Sequence, residues 1–361
     1  MACKDCTQFC LAEERDFDRV LVSVPSKEIL NLLTTALSKS GFKFDVEGRS
    51  LKYFGADSAI MLQFLSYDAD LSDFQQREIQ ILTLRSDEEV TFDAVRHLQT
   101  LDKYRRSLEH PEVKSCLENG RIQTYFQPLV DVKTRSLHGF EALSRGIGDS
   151  GEIISPGILF DYAKANNATF FLDRLTRETA IRSAANLNLQ GRIFINFLPN
   201  AIYDPRQCLR TTLRIANETN FDPSRIVFEV TETERIEDMD HLGRIFDYYR
   251  HNGFKVALDD VGSGYAGLNV LIDLMPDIIK VDREIIVDID KNPLKQSIFR
   301  GLSTAAREQG IEVVAEGIET HEELDFVSNN GADYLQGFLF AKPQPNPDFT
   351  VKWPSHESIK S

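Results

Sequence analysis

Between residue 16 and about residue 56 the apolar positions change period twice. FDRVLVSV alternates apolar and polar side chains, as a strand with one buried face does. SKEILNLLTTALSKSG instead spaces its apolar side chains by three and four, as an amphipathic helix does, and stops at Gly41. FKFDVEGRSLKYFG then reads as a hairpin-like pair of strands. The pattern predicts a small α/β module over residues 16–86. Val95, Leu98, Leu101, Tyr104 and Leu108 follow at spacings of three and four, which predicts one helix through DAVRHLQTLDKYRRSLEHP up to the break at Pro111. That helix is a candidate connector over residues 87–110, although an amphipathic stripe is as readily the core face of its own domain.

From about Gly120 the pattern changes again. Strand-like runs recur as TYFQPLVDV, SLHGFEALSR, RIFINFLP, RIVFEVTE, KVALDDV, DIIKVD, EVVAEGI and YLQGFLF. Helical stretches such as DRLTRETAIRSAANL and LKQSIFRGLSTAAREQG separate several of them. Eight strands with intervening helices predict a modified TIM-like (β/α)8 barrel over residues 111–346, followed by a tail over 347–361. Only KTR separates the first two runs, too little for a parallel crossover, so the first strand should be antiparallel.

Polar side chains fall at one end of these runs. Glu141 lies late in the second, Asn196 in the third, Glu229 and Glu232 in the fourth, Asp259 and Asp260 in the fifth, Lys280 in the sixth and Glu316 in the seventh. In such a barrel the carboxyl ends of the strands form the active-site face, so residues far apart in sequence converge there. Singly, each has an ordinary explanation: an acid capping the next helix, a snorkelling lysine, an asparagine in a turn. Their joint placement favours a site. Carboxylates and an amide oxygen, with no thiolate or imidazole, favour magnesium or manganese over zinc or copper. Adjacent aspartates suit two such ions about 3.5–4 Å apart, which clamp a phosphate and activate a water for in-line attack. The expected chemistry is phosphoester hydrolysis.

Charge narrows the substrate. The chain of 361 residues carries a formal net charge of −15, which argues against binding along a nucleic-acid polymer and leaves a small anionic ligand held through cations. No uncharged apolar run approaches the ~18 residues a membrane span needs, and no signal peptide is evident, so a cytoplasmic protein without a membrane partner is expected. Five cysteines, an odd number, suit reduced thiols. Three of them, Cys3, Cys6 and Cys10 in residues 1–15, have a spacing that fits thiolate ligands to zinc or iron, or else belong to a frayed terminus with free thiols.

FEALSR, YFQP, INFLP, FEVTE, LDDVGSGYAGL, DIIKVD, VVAEGIE and LQGFLFAKP, in this order over roughly residues 108–346, resemble the EAL family of cyclic di-GMP phosphodiesterases. The resemblance implies opening of cyclic di-GMP to linear pGpG. It implies metal-ligand roles for Glu141, Asn196, Glu229, Asp259 and Asp260, and positioning and deprotonation of water by Lys280 and Glu316. It also implies substrate contacts by Gln127, Gln336 and Arg145, whose planar donors suit a phosphate. Glu232 would anchor the loop after the paired aspartates, which in the family links a homodimer interface to metal binding. Val261 stands where the family usually has phenylalanine, and SGYAG replaces the commoner TGYSS, changes that bear on regulation more than on chemistry. The rivals are a catalytically silent cyclic di-GMP receptor acting through protein interaction, which usually lacks a metal ligand, and a metal-dependent nuclease. The N-terminal module is expected to regulate the barrel.

Overall fold

The computed structural model describes residues 17–92, 94–202, 204–231, 238–262, 267–348, 350 and 353–354. Its described residues form two compact units, one of 17–115 with 157–169, the other of 116–156 with the chain from 170 onward.

The first unit is an antiparallel sheet with helices. Its strands are β1 (Arg19–Ser23), β2 (Phe44–Glu47), β3 (Ser50–Phe54), β4 (Gln80–Leu84) and β5 (Gln99–Thr100), in the order β2-β3-β1-β4-β5. Alternation in β1 buries Val20 and Val22. Against them pack Leu30, Leu33 and Leu37 of the helix Lys27–Lys39, whose first turn is capped by Ser26 Oγ accepting from the Ile29 N–H at 3.3 Å. The expected hairpin is β2–β3, with Phe44 opposite Tyr53.

The single helix expected through residues 93–110 is not formed. Ala94–His97 makes one 3-10 turn, β5 pairs with β4, and a helix then runs over Leu101–Leu108. Two local interactions break the stripe: the ladder that joins Gln80 to Thr100, and Thr100 Oγ1 accepting from the Lys103 N–H at 3.1 Å, which starts a new helix. Val95 and Leu98 are accordingly exposed while Leu101 and Tyr104 are buried.

The second unit is a closed barrel. Its strands are β6 (Ile122–Asp131), β7 (Leu137–Ile147), β9 (Arg192–Asn196), β10 (Ile226–Thr231), β11 (Lys255–Val261), β12 (Ile278–Val281), β13 (Glu312–Ala315) and β14 (Tyr334–Leu335), with a short β8 (Ile153–Ile154) pairing on β7. The order is β6-β14-β13-β12-β11-β10-β9-β7, and β6 closes the ring by pairing with β7. β6 runs antiparallel to both neighbours; from β7 through β9 to β14 the pairings are parallel. This is the modified barrel, with its reversed first strand, that the short KTR connection implies.

Strand period two stacks the interior in layers. Leu129, Phe194, Val227, Ala257, Ile278, Val314 and Tyr334 form an apolar plug, one residue from each barrel strand except β7. Two residues earlier on β9, β11 and β13 stand Arg192, Lys255 and Glu312, joined by ion pairs across the barrel base. Two residues beyond the plug, toward the carboxyl ends, every side chain is polar.

One buried pair fastens the chain leaving β9. In the helix Thr169–Asn186, Arg177 donates twice to Asp173 Oδ2, at 3.0 and 2.8 Å, and once to Thr212 Oγ1 at 2.6 Å. Asp173 Oδ1 accepts the Leu198 N–H at 3.0 Å, two residues after Asn196. Asp173→Ala, by stranding a buried guanidinium, is expected to lower the unfolding free energy by about 3–5 kcal/mol. Urea titration measures this; a change within experimental error would show that the pair is dispensable.

Candidate active site

The layer above the plug contains most of the residues singled out from the sequence. Phe194 is followed two positions on by Asn196, Val227 by Glu229, Ala257 by Asp259, Ile278 by Lys280, Val314 by Glu316 and Tyr334 by Gln336. Glu141 on β7 and Gln127 on the reversed β6 face each other directly and complete the ring. Gln336 Nε2 donates to Gln127 Oε1 at 3.1 Å and also to Glu141. Its neighbour Gly337 packs so closely on the backbone of Ile318 that a Cβ would lie 2.0 Å from the Ile318 carbonyl oxygen, so only glycine lets this turn set Gln336 in place.

Lys280 is the centre. Its Nζ lies 2.7 Å from Glu316 Oε1, 2.9 Å from Glu229 Oε1, 3.0 Å from Asp259 Oδ1 and 3.7 Å from Glu141 Oε1. Asn196 Nδ2 donates to Glu141 Oε1 at 3.4 Å and to Glu229 Oε2 at 3.3 Å. Asp260 escapes the alternation through a register shift between Leu258 and Val261, where it takes a positive φ of 56°. A left-handed aspartate costs free energy, and here it brings two consecutive carboxylates to the same side of the strand.

The electrostatics are unbalanced. Four ionised carboxylates would face one ammonium, in a site where Lys280 and Glu229 are almost fully buried. Burial, reinforced by Asp259 and Glu141, pushes the Glu229 carboxyl well above its usual range in spite of Lys280. Burial and Asp259 do the same to Glu316. Burial, then Asp259, push Asp260 up to about 7. For Lys280, burial disfavours the charge, but Asp259, Glu141, Glu229 and Glu316 outweigh it and hold the ammonium well above its ordinary value.

Such a set is suited to cations. Ligand oxygens of Glu141, Glu229 and Asp259 lie within 4.8 Å of one another, and so do those of Asp259, Asp260 and Glu316. Asp259 belongs to both groups, so the donors fit two hard cations sharing one aspartate. Asp282 was not singled out from the sequence, yet its carboxyl hydrogen-bonds Asp260. The signal was present in DIIKVD, where it sits two residues after Lys280.

The remaining candidates stand apart from this ring. Arg145 lies on β7 beyond Glu141, its guanidinium carbon 5.5 Å from the centroid of the Tyr125 ring. Glu232 lies outside the described residues, as do Cys3, Cys6 and Cys10.

Fold and site define a barrel protein with an acidic, cation-seeking centre at the carboxyl mouth of its parallel strands. The chain belongs to the EAL domain family, whose sequence profile matches residues 111–343. It is 31% identical over 249 residues to a protein of Escherichia coli K12 named as a probable cyclic di-GMP phosphodiesterase, PdeG, an alignment covering 67% of this chain and 49% of PdeG. The chain thus spans about half the length of that relative. Among solved structures, a standalone EAL protein from Vibrio cholerae O395 with cyclic di-GMP bound shares 39% identity, with a TM-score of 0.57 over 62% of this chain and 92% of that one. Klebsiella pneumoniae BlrP1, solved with calcium and cyclic di-GMP, aligns over 91% of this chain and 96% of its own at 23% identity and a TM-score of 0.58, a likeness of fold alone. Among the described residues no helix is long and apolar enough to cross a membrane.

With cations removed by chelator, Lys280→Met should lower the unfolding free energy by about 3–5 kcal/mol, because it strips the buried carboxylates of their counter-charge. Magnesium or manganese should restore part of the loss. Chemical denaturation with and without cations checks both expectations; a variant as stable as the parent in chelator contradicts the role of the ammonium.

Proposed function

We propose that the chain hydrolyses cyclic di-GMP to linear pGpG with magnesium or manganese, two ions per barrel. The observation that carries this reading is the all-oxygen ring around Lys280, split into two groups that share Asp259. Glu141, Asn196, Glu229 and Asp259 would hold one ion, and Asp259, Asp260 and Glu316 the other. When bound, the ions draw electron density from the phosphoryl oxygens and lower the pKa of a water. Lys280, held as an ammonium, would donate to that water and orient it, and the Glu316 carboxylate, 2.7 Å from Lys280 Nζ, would take up its proton and pass it to the leaving 3′ oxygen. The water oxygen joins phosphorus as the bond from phosphorus to the 3′ oxygen breaks; the 3′ oxygen leaves as a hydroxyl, and a 5′ phosphate remains. Gln336 holds Glu141 in line and is itself steadied by Gln127, and Arg145 meets a phosphate oxygen.

The relatives named above support the choice of nucleotide. Every proposed catalytic position lies after Gly120, so the N-terminal unit is assigned regulation and no chemistry. The chain is assigned a homodimer through the barrel, supported by the exposed Ile272 on the helix Gly267–Leu274 and the exposed Met275 just after it. Ile272→Glu should shift sedimentation toward the monomer; an unchanged species moves the interface elsewhere.

Chromatography of the products after incubation with cyclic di-GMP tests the activity. Product should form with either metal and stop with chelator. Asp260→Asn should cost at least the ~100-fold that losing an outer partner of a metal ligand can cost, with the fold intact and binding partly retained. Tight binding without product, with either ion, would instead assign the chain as a receptor.

A further inference from the structure

The β6–β7 hairpin extends past the catalytic ring, and strand alternation puts one set of its side chains on the side facing the site. Gln127 lies opposite Glu141, Tyr125 opposite Leu143, and Gln123 opposite Arg145. Tyr125 is thus one step outward from Gln127 and diagonal to Arg145, the separation at which an aromatic ring and a long side chain meet across an antiparallel pair. The Arg145 guanidinium carbon stands 5.5 Å from the Tyr125 ring centroid, within cation–π range.

Arg145 has few other restraints. One Nη1 proton goes to the Ser144 carbonyl at 2.8 Å, and among the described residues no carboxylate pairs with it. A half-buried guanidinium four residues beyond Glu141 on the same strand, with no acidic partner among the described residues, is available to an anion. The tyrosine ring restrains the guanidinium at cation–π distance, while among the described residues only one of its donors is used, by the Ser144 carbonyl. An arginine held this way loses less side-chain freedom when a phosphate arrives.

We propose that Tyr125 is a positioning residue, whose ring fixes Arg145 in the orientation that receives a phosphate of the substrate. The assignment rests on the function proposed above, because it presumes that Arg145 meets the ligand. Tyr125 acts through Arg145 alone. Its ring face matters, and its hydroxyl does not.

The test uses the full chain with magnesium, measuring initial rates and equilibrium binding of cyclic di-GMP for Tyr125→Phe, Tyr125→Leu, Tyr125→Met, Arg145→Gln and the Tyr125→Leu/Arg145→Gln pair. Tyr125→Phe should stay within about twofold of the parent. Tyr125→Leu should raise KM and Kd together by about 3- to 30-fold, the worth of a partly desolvated cation–π contact, with kcat within about twofold. Tyr125→Met, which keeps apolar bulk without a ring, should repeat this and stands in if the leucine variant melts early. In the Arg145→Gln background Tyr125→Leu should add no further loss. Independent, multiplying losses overturn the proposal, as do a phenylalanine variant no better than leucine or ring-less variants that bind normally. A parent chain that neither binds nor hydrolyses the dinucleotide overturns the proposed function, and this assignment with it.

Discussion

A single ammonium buried among four carboxylates governs this structure. Lys280 is 1% exposed, and the acids it touches come from four other strands or strand ends. One positive charge cannot balance that set at neutral pH, and burial makes the imbalance expensive. Burial first, and then the neighbouring carboxylates, make Glu229, Glu316 and Asp260 hold their protons more tightly than usual, and protons or cations relieve the excess. A barrel that tolerates this arrangement gives up stability at its mouth and gains a centre suited to cations.

The rest of the barrel makes that concentration of charge sustainable. The apolar plug beneath it, one side chain from each of seven strands, closes the interior. Below the plug, Glu312 pairs with Arg192 and Lys255, so the base is balanced where the mouth is not. Because the side-chain period is two, the same strands that supply the plug must supply the acidic ring. Glu141 comes from β7, which gives the plug no side chain, and Asp260 needs a shifted register and a left-handed backbone to take part.

This dependence on period explains what was legible in the residues. Strand runs ending in a polar residue, such as RIFIN and KVALDD, reveal both the strand and which of its side chains points inward, so the ring from Glu141 to Glu316 could be read off before any coordinates. The reversed β6 followed from the shortness of KTR. Helix periodicity was less dependable: Val95 to Leu108 fits a 3.6-residue repeat, yet Thr100 prefers to end a ladder and cap a new helix. Spacing alone could not place Tyr125 beside Arg145, because that contact depends on the pairing register of two strands. The contact of Asp282 with Asp260 depends in the same way on the bulge in β11.

The central claim is that the excess charge around Lys280 exists to hold two cations. Anomalous diffraction from crystals grown with manganese tests it most directly. The account predicts two manganese peaks sharing Asp259, one bounded by Glu141, Asn196 and Glu229 and the other by Asp260 and Glu316. Crystals that take up manganese elsewhere, or in which Lys280 alone still faces the four carboxylates at saturating manganese, would contradict it.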